Sequence, residues 1–231
     1  MSKAQEQAVD APARKAARNV PLIESRLPAL FATLTVAFLI TSLPAGVQCG
    51  PRWLLPVIVT GLLVPATITH RTGRHRTNHI VGQMITAVIT VSLVVSLRLL
   101  IGALISHKEP AIDMLRSAAA LWFTNVLVFA LWYWRLDAGG PNRRNRRGVH
   151  SSGAFLFPQM TIGPEYTEEG ADAVWTPQFM DYLFLSFNTS TALSPTDTPV
   201  LSRWAKGLCM LQACISLTIV VILAAHAVNI L

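Results

Sequence analysis

Apolar positions along this chain come in continuous runs, not in the short periodic clusters of a soluble core. The runs are Pro28 to Val47, Trp53 to Thr69, Ile80 to Ser106, Ser117 to Trp134 and Leu208 to Leu231, and none contains an acidic residue. Each approaches or exceeds the roughly 17–25 residues that a helix needs to cross a hydrocarbon layer about 30 Å thick. Lipid offers no partners for backbone N–H and C=O groups, so such runs must be helical; a membrane barrel would show period-two alternation, which is absent. A shorter aromatic run, Phe179 to Leu193, carries Asp181, Asn188, Thr189, Ser190 and Thr191, and either dips into the membrane or crosses it. The pattern predicts an all-α, polytopic helical membrane protein of five spans plus a short pore-like or sixth helix.

The same pattern divides the chain. Residues 1–27 are expected to form a basic cytoplasmic tail, 28–135 a four-helix membrane region, 136–178 a polar loop and 179–231 a pore-like helical hairpin. The head is long for a secretory signal, its apolar run is of full spanning length, and Gln48 before Cys49 does not suit cleavage near Ala45. Composition agrees with the hydropathy: 52% of the 231 residues are hydrophobic and 13% charged, too apolar for one ordinary soluble domain. Cys209 and Cys214 lie five apart on one helix and point different ways, so with Cys49 they make no disulfide framework.

Charge sets the orientation. Lys3, Arg14, Lys15, Arg18 and Arg26 of the head, Arg71, Arg74 and Arg76 of the first loop, and Arg135, Arg143, Arg144, Arg146 and Arg147 would share one side. Arg52, Lys108 and Arg116 face the other, so the amino terminus is expected in the cytoplasm, in a multi-pass protein of a bacterial inner membrane. The net charge of +7 then reflects basic loops beside anionic lipid. Arg143 to Arg147 lacks the aromatic interleaving of a nucleic-acid site, and no nucleic-acid partner is expected. His70, His75 and His79 are surrounded by arginines that repel a cation, and no metal or other cofactor is expected. The acidic stretch Glu165 to Asp172 is expected to contact the basic stretch before it. No phosphate loop, His-Glu-x-x-His pair or Gly-x-Ser-x-Gly elbow gives an enzyme a home.

Asp181-Tyr182, Ser186-Phe187, Asp197, Ser202-Arg203, Lys206 and the closing Ala227-Val-Asn-Ile-Leu231 resemble the bacterial membrane proteins catalogued as domain of unknown function 1345. The final quarter is also similar to a two-helix potassium-channel pore, in which an aromatic pore helix leads to a filter, an aspartate and the last helix. At the filter positions this chain carries Ser194, Pro195 and Thr196. That filter is degenerate, because proline fixes φ near −65° and cannot supply the backbone that glycine adopts. The resemblance implies an ion-permeation pathway formed or regulated by a homo-oligomer, lined by Asp181, Asn188, Thr189, Thr191, Ser194, Thr196 and Asp197. It also implies an antiparallel pairing of the Phe179 helix with the last one, which favours a sixth crossing; the placement of Arg203 and Lys206 by charge favours re-entry and five. The alternatives are a non-conducting structural or regulatory membrane protein and a membrane-embedded enzyme. Arg98, inside the third run, is expected to snorkel to the interface or to meet Asp181 or Asp113, and His226 to lie near an interface.

Overall fold

The structure, a computed structural model, describes residues 24–48, 50–71, 75–106, 110–147, 153–161, 175–191 and 197–230. Seven α-helices account for most of them: α1 (Leu27–Thr41), α2 (Leu54–Arg71), α3 (His75–Ser106), α4 (Ala111–Leu136), α5 (Pro141–Arg147), α6 (Phe179–Thr191) and α7 (Arg203–Ile230). Among the described residues, three stretches are long and apolar enough to cross a membrane: Thr77–Ser106, Ala111–Gly139 and Arg203–Ala225. Leu27–Thr41 and Leu54–Ile68 are apolar but shorter. Large hydrophobic side chains such as Phe31, Phe38, Val57, Val91 and Leu217 are exposed on the outer faces, as lipid-facing positions would be.

Helix ends depart from the hydropathy runs for local reasons. The first run extends to Val47, yet α1 stops at Thr41, because Pro44 cannot continue a helix. The hydroxyls of Thr41 and Ser42 donate back to the carbonyls of Phe38 and Leu39, at 2.8 and 2.7 Å. The Gln48 amide then donates to the carbonyls of Thr41 and Leu43, at 2.8 and 2.6 Å, supplying partners that the end of a helix otherwise lacks. Elsewhere the helices outgrow the runs: α3 starts at His75, α4 at Ala111 behind Pro110, and α7 at Arg203. Their added turns are polar, and hydropathy alone does not see them.

α4 is the central post, packed against α1, α3, α6 and α7. Of its spanning window 61% is buried, against 28% for those of α3 and α7. Directions follow from the cross-contacts. Trp122 and Asn125 of α4 bond to Ser216 and Gln212 of α7, in reverse order, so these two helices are antiparallel. Trp134 packs on Phe179 and Trp122 on Phe187, so α6 also opposes α4. Gln212 meets Ser186, and Ser216 meets Ser190 one turn further along both helices. α6 and α7 are therefore parallel and start from the same end of the bundle. This corrects the antiparallel pairing of these two helices that the resemblance implied. A helix of 13 residues extends only about 20 Å, and the chain is back at its starting end by Val200, which bridges Phe155.

α4 leaves that end through a left-handed corner. Ala138, Gly139 and Gly140 have φ of 50°, 82° and 87°, a conformation glycine tolerates and alanine visits at a cost. The corner folds the short α5 back beneath the end of α4. The stretch 136–178, expected to be a polar loop, also supplies a buried aromatic lid. Phe155 lies 5.2 Å from Tyr133 and 6.3 Å from Tyr182 and Trp204, centroid to centroid.

Candidate functional site

Three polar places sit inside this largely apolar body. The first is an ionic knot at the end where α1, α6 and α7 begin. Glu24 is buried, and its carboxylate accepts from Arg144 Nε at 3.1 Å and Nη2 at 2.8 and 2.9 Å, and from the Trp134 indole. Arg144 Nη1 donates to the carbonyls of Trp134 and Asp137, at 2.9 and 2.8 Å, where the end of α4 carries partial negative charge. The Arg144 guanidinium lies 5.2 Å over the Tyr182 ring, whose hydroxyl donates to Asp137 at 2.7 Å. The Ala154 backbone N–H donates to the other Asp137 oxygen. Burial disfavours the Arg144 charge, but the oxygens of Tyr182, Glu24 and Asp137 outweigh it and hold its pKa above the ordinary arginine value. Two expectations change here: Glu24, in the tail expected to be solvated, is docked, and Arg144 of the basic run is buried.

The second place is a neutral zipper halfway along α4, α6 and α7. The Gln212 amide donates to the Ser186 carbonyl and hydroxyl and to the Ser190 hydroxyl, at 2.8, 2.7 and 2.6 Å, and accepts from Tyr133. Ser186 donates to the Val126 carbonyl at 2.6 Å, and Ser216 to that of Ser190. The Trp122 indole donates to Ser216 at 3.0 Å. Asn125 donates to the Gln212 carbonyl at 3.3 Å, while its own carbonyl oxygen is buried without a partner.

The third place is a cavity of about 650 Å³ between α1 and α2, closed by the end of α4 and by α5. Arg26 and Arg135 face it. Burial pulls the Arg26 pKa below its ordinary value, and Glu24 opposes that shift.

Of the candidate pore-lining residues, Asp181 accepts the Gln178 N–H at 2.7 Å and so caps the first turn of α6. Thr189 donates to the Leu185 carbonyl and Thr191 to that of Asn188, at 2.8 and 3.0 Å. Asn188 is half-buried and Asp197 exposed. Ser194 and Thr196 lie outside the described residues, as does the acidic stretch Glu165 to Asp172, and the side chains of His70, His75 and His226 are not described. Arg203 and Lys206 are exposed at the start of α7, and Arg98 is exposed on α3. The nearest ion pair of Asp113 is with Arg116, at 3.9 Å. The candidate set is thus not gathered into one site. The gathered residues are ones the sequence reading passed over: Glu24, Asp137, Arg144, Gln212 and Asn125. For the last two a signal existed, since an amide inside an apolar spanning run seeks a partner on another helix. No protein-family model, curated protein or solved structure matches this chain.

Proposed function

We propose that this chain is a multi-pass protein of a bacterial inner membrane, akin to the family catalogued as domain of unknown function 1345, and that its last quarter is a pore-loop unit of an ion-permeation pathway. In this reading α1, α2, α3, α4 and α7 are five spans and α6 re-enters from the cytoplasmic end, where the amino terminus also lies. α1 rises only about 22 Å over its 15 residues, and the capped turn down to Gln48 takes up the remaining depth. The observation that carries the reading is the common starting end of α6 and α7. A short helix that goes in, a return, and a long helix from the same side is the layout that brings non-helical backbone to membrane depth, where it must be covered by protein or line water. One such element per chain requires several copies around an axis.

A second reading, a non-conducting structural or regulatory protein, is favoured by the closed zipper, which uses the buried polar side chains of α6 to hold α7. One experiment separates the two. Purified protein in liposomes is exposed to potassium, sodium and proton gradients, beside an Asp197→Asn, Ser194→Ala double variant, and the particle mass is measured. The pore reading expects an oligomer and a flux that the double variant abolishes. A folded monomer, or no flux under any gradient, overturns it in favour of the second.

A further inference from the structure

The cavity between α1 and α2 combines features that neither reading uses. Its polar end holds two guanidinium groups, those of Arg26 and Arg135. Arg26 donates to the side-chain oxygens of Asn78, at 3.2 Å, and of Asn142, which are neutral. Arg135 lies 5.5 Å over the Trp134 ring and against Gly82, where even a methyl group would collide with its guanidinium. Its Nε is buried and has no hydrogen-bond partner. The carboxylate in the wall, Glu24, is committed to Arg144 and Trp134.

Two like charges in a partly buried place are costly unless an anion joins them. Arg135 packs its guanidinium against Gly82 and over Trp134 while lining the cavity. Beyond this polar end the wall is mostly apolar, including Leu30 of α1 and Leu63 of α2. The outer faces of the same two helices expose Phe31 and Val64. The volume of about 650 Å³ lies well inside the roughly 300–1,000 Å³ of ligand sites and far exceeds what a free phosphate fills.

We propose that this cavity is a site for one anionic phospholipid, its phosphate held between Arg26 and Arg135 and part of an acyl chain lying along Leu30 and Leu63. Planar guanidiniums suit phosphate oxygens, and the apolar wall between two lipid-facing helices suits a chain entering from the bilayer.

The test requires no flux assay, so it stands or falls apart from the pore. Full-length protein in nanodiscs of mixed phosphatidylglycerol and phosphatidylcholine is released into detergent, and retained lipid is counted by native mass spectrometry. Wild type is expected to keep one phosphatidylglycerol per chain. Arg135→Gln should lower that retention about tenfold, the loss of one charge-assisted contact. Arg143→Gln, which removes an exposed charge from α5 at the same end, should leave it unchanged. Leu30→Trp fills the apolar part without touching a charge and should also expel the lipid, which keeps the test decisive if Arg135→Gln unfolds. Equal retention of phosphatidylcholine, equal losses in Arg135→Gln and Arg143→Gln, retention in Leu30→Trp, or displacement of the lipid by millimolar inorganic phosphate would each overturn the proposal.

Discussion

At the end of the bundle where α1, α6 and α7 begin, the buried polar groups include charges and come from segments far apart: Glu24 of the head, Arg144 of α5 and Asp137 of the corner, with the neutral hydroxyl of Tyr182 of α6. Halfway along the same helices they are neutral amides and hydroxyls, joining Gln212, Ser186, Ser190, Asn125 and Tyr133. The contrast follows the cost of burying each kind of group. A charge removed from water loses several kcal/mol even after relaxation, and it persists only where a partner and further donors close around it. An amide at membrane depth loses less, and its alternative partners, carbonyls of its own helix, are always near. The knot should therefore be intolerant of losing one member, and the zipper forgiving.

The largest expected effect tests that difference directly. Glu24→Ala leaves the Arg144 charge buried without its carboxylate, and should cost about 3–5 kcal/mol of stability in detergent unfolding. Replacing both members, Glu24→Met with Arg144→Met, should recover most of it; a double variant as unstable as the single one would break the account of the knot. Next comes Tyr182→Phe, which removes a donor to the Asp137 carboxylate while keeping the ring under Arg144, and should cost about 1–3 kcal/mol. The smallest is Gln212→Leu, since Ser186 still has the Val126 carbonyl and Ser190 can turn to its own helix; it should cost about 1 kcal/mol. A Gln212→Leu loss as large as that of Glu24→Ala, in the same unfolding measurement, would erase the distinction between the two regions.

Hydropathy made the helical architecture legible, because a run such as Ile80 to Ser106 has no other way to satisfy its backbone in lipid. It did not place helix ends, since the first turns of α3 and α7 are polar and owe their helicity to continuation of the same hydrogen bonding. The direction of α6 was not legible either. A run of 15 residues is long enough to enter and barely long enough to cross, and the serines that align it with α7 lie among hydroxyls that look alike in sequence. The antiparallel pairing that the resemblance implied is not the arrangement found, because the serines of α6 align with Gln212 and Ser216 in the same order along both helices. The knot stayed hidden because its members sit in segments whose composition reads as solvated: burial of Arg144 depends on the corner at Ala138 to Gly140, which no local charge pattern announces.

Glu24 and Arg144 are 120 positions apart in the chain, and this separation has a meaning in time. In the five-span proposal, α1 enters the bilayer during synthesis while its carboxylate neighbour has nothing to meet. Three further helices must follow before Trp134 and Arg144 emerge, and Tyr182 arrives later still. Because Glu24 precedes α1, it can wait in water without burdening insertion, and its capture then joins the start of α1 to the short helix that follows α4. In the five-span proposal, an error in the net orientation of α1 to α4 would leave Glu24 and Arg144 on opposite sides of the bilayer, so the ion pair closes only when that part of the chain is threaded correctly.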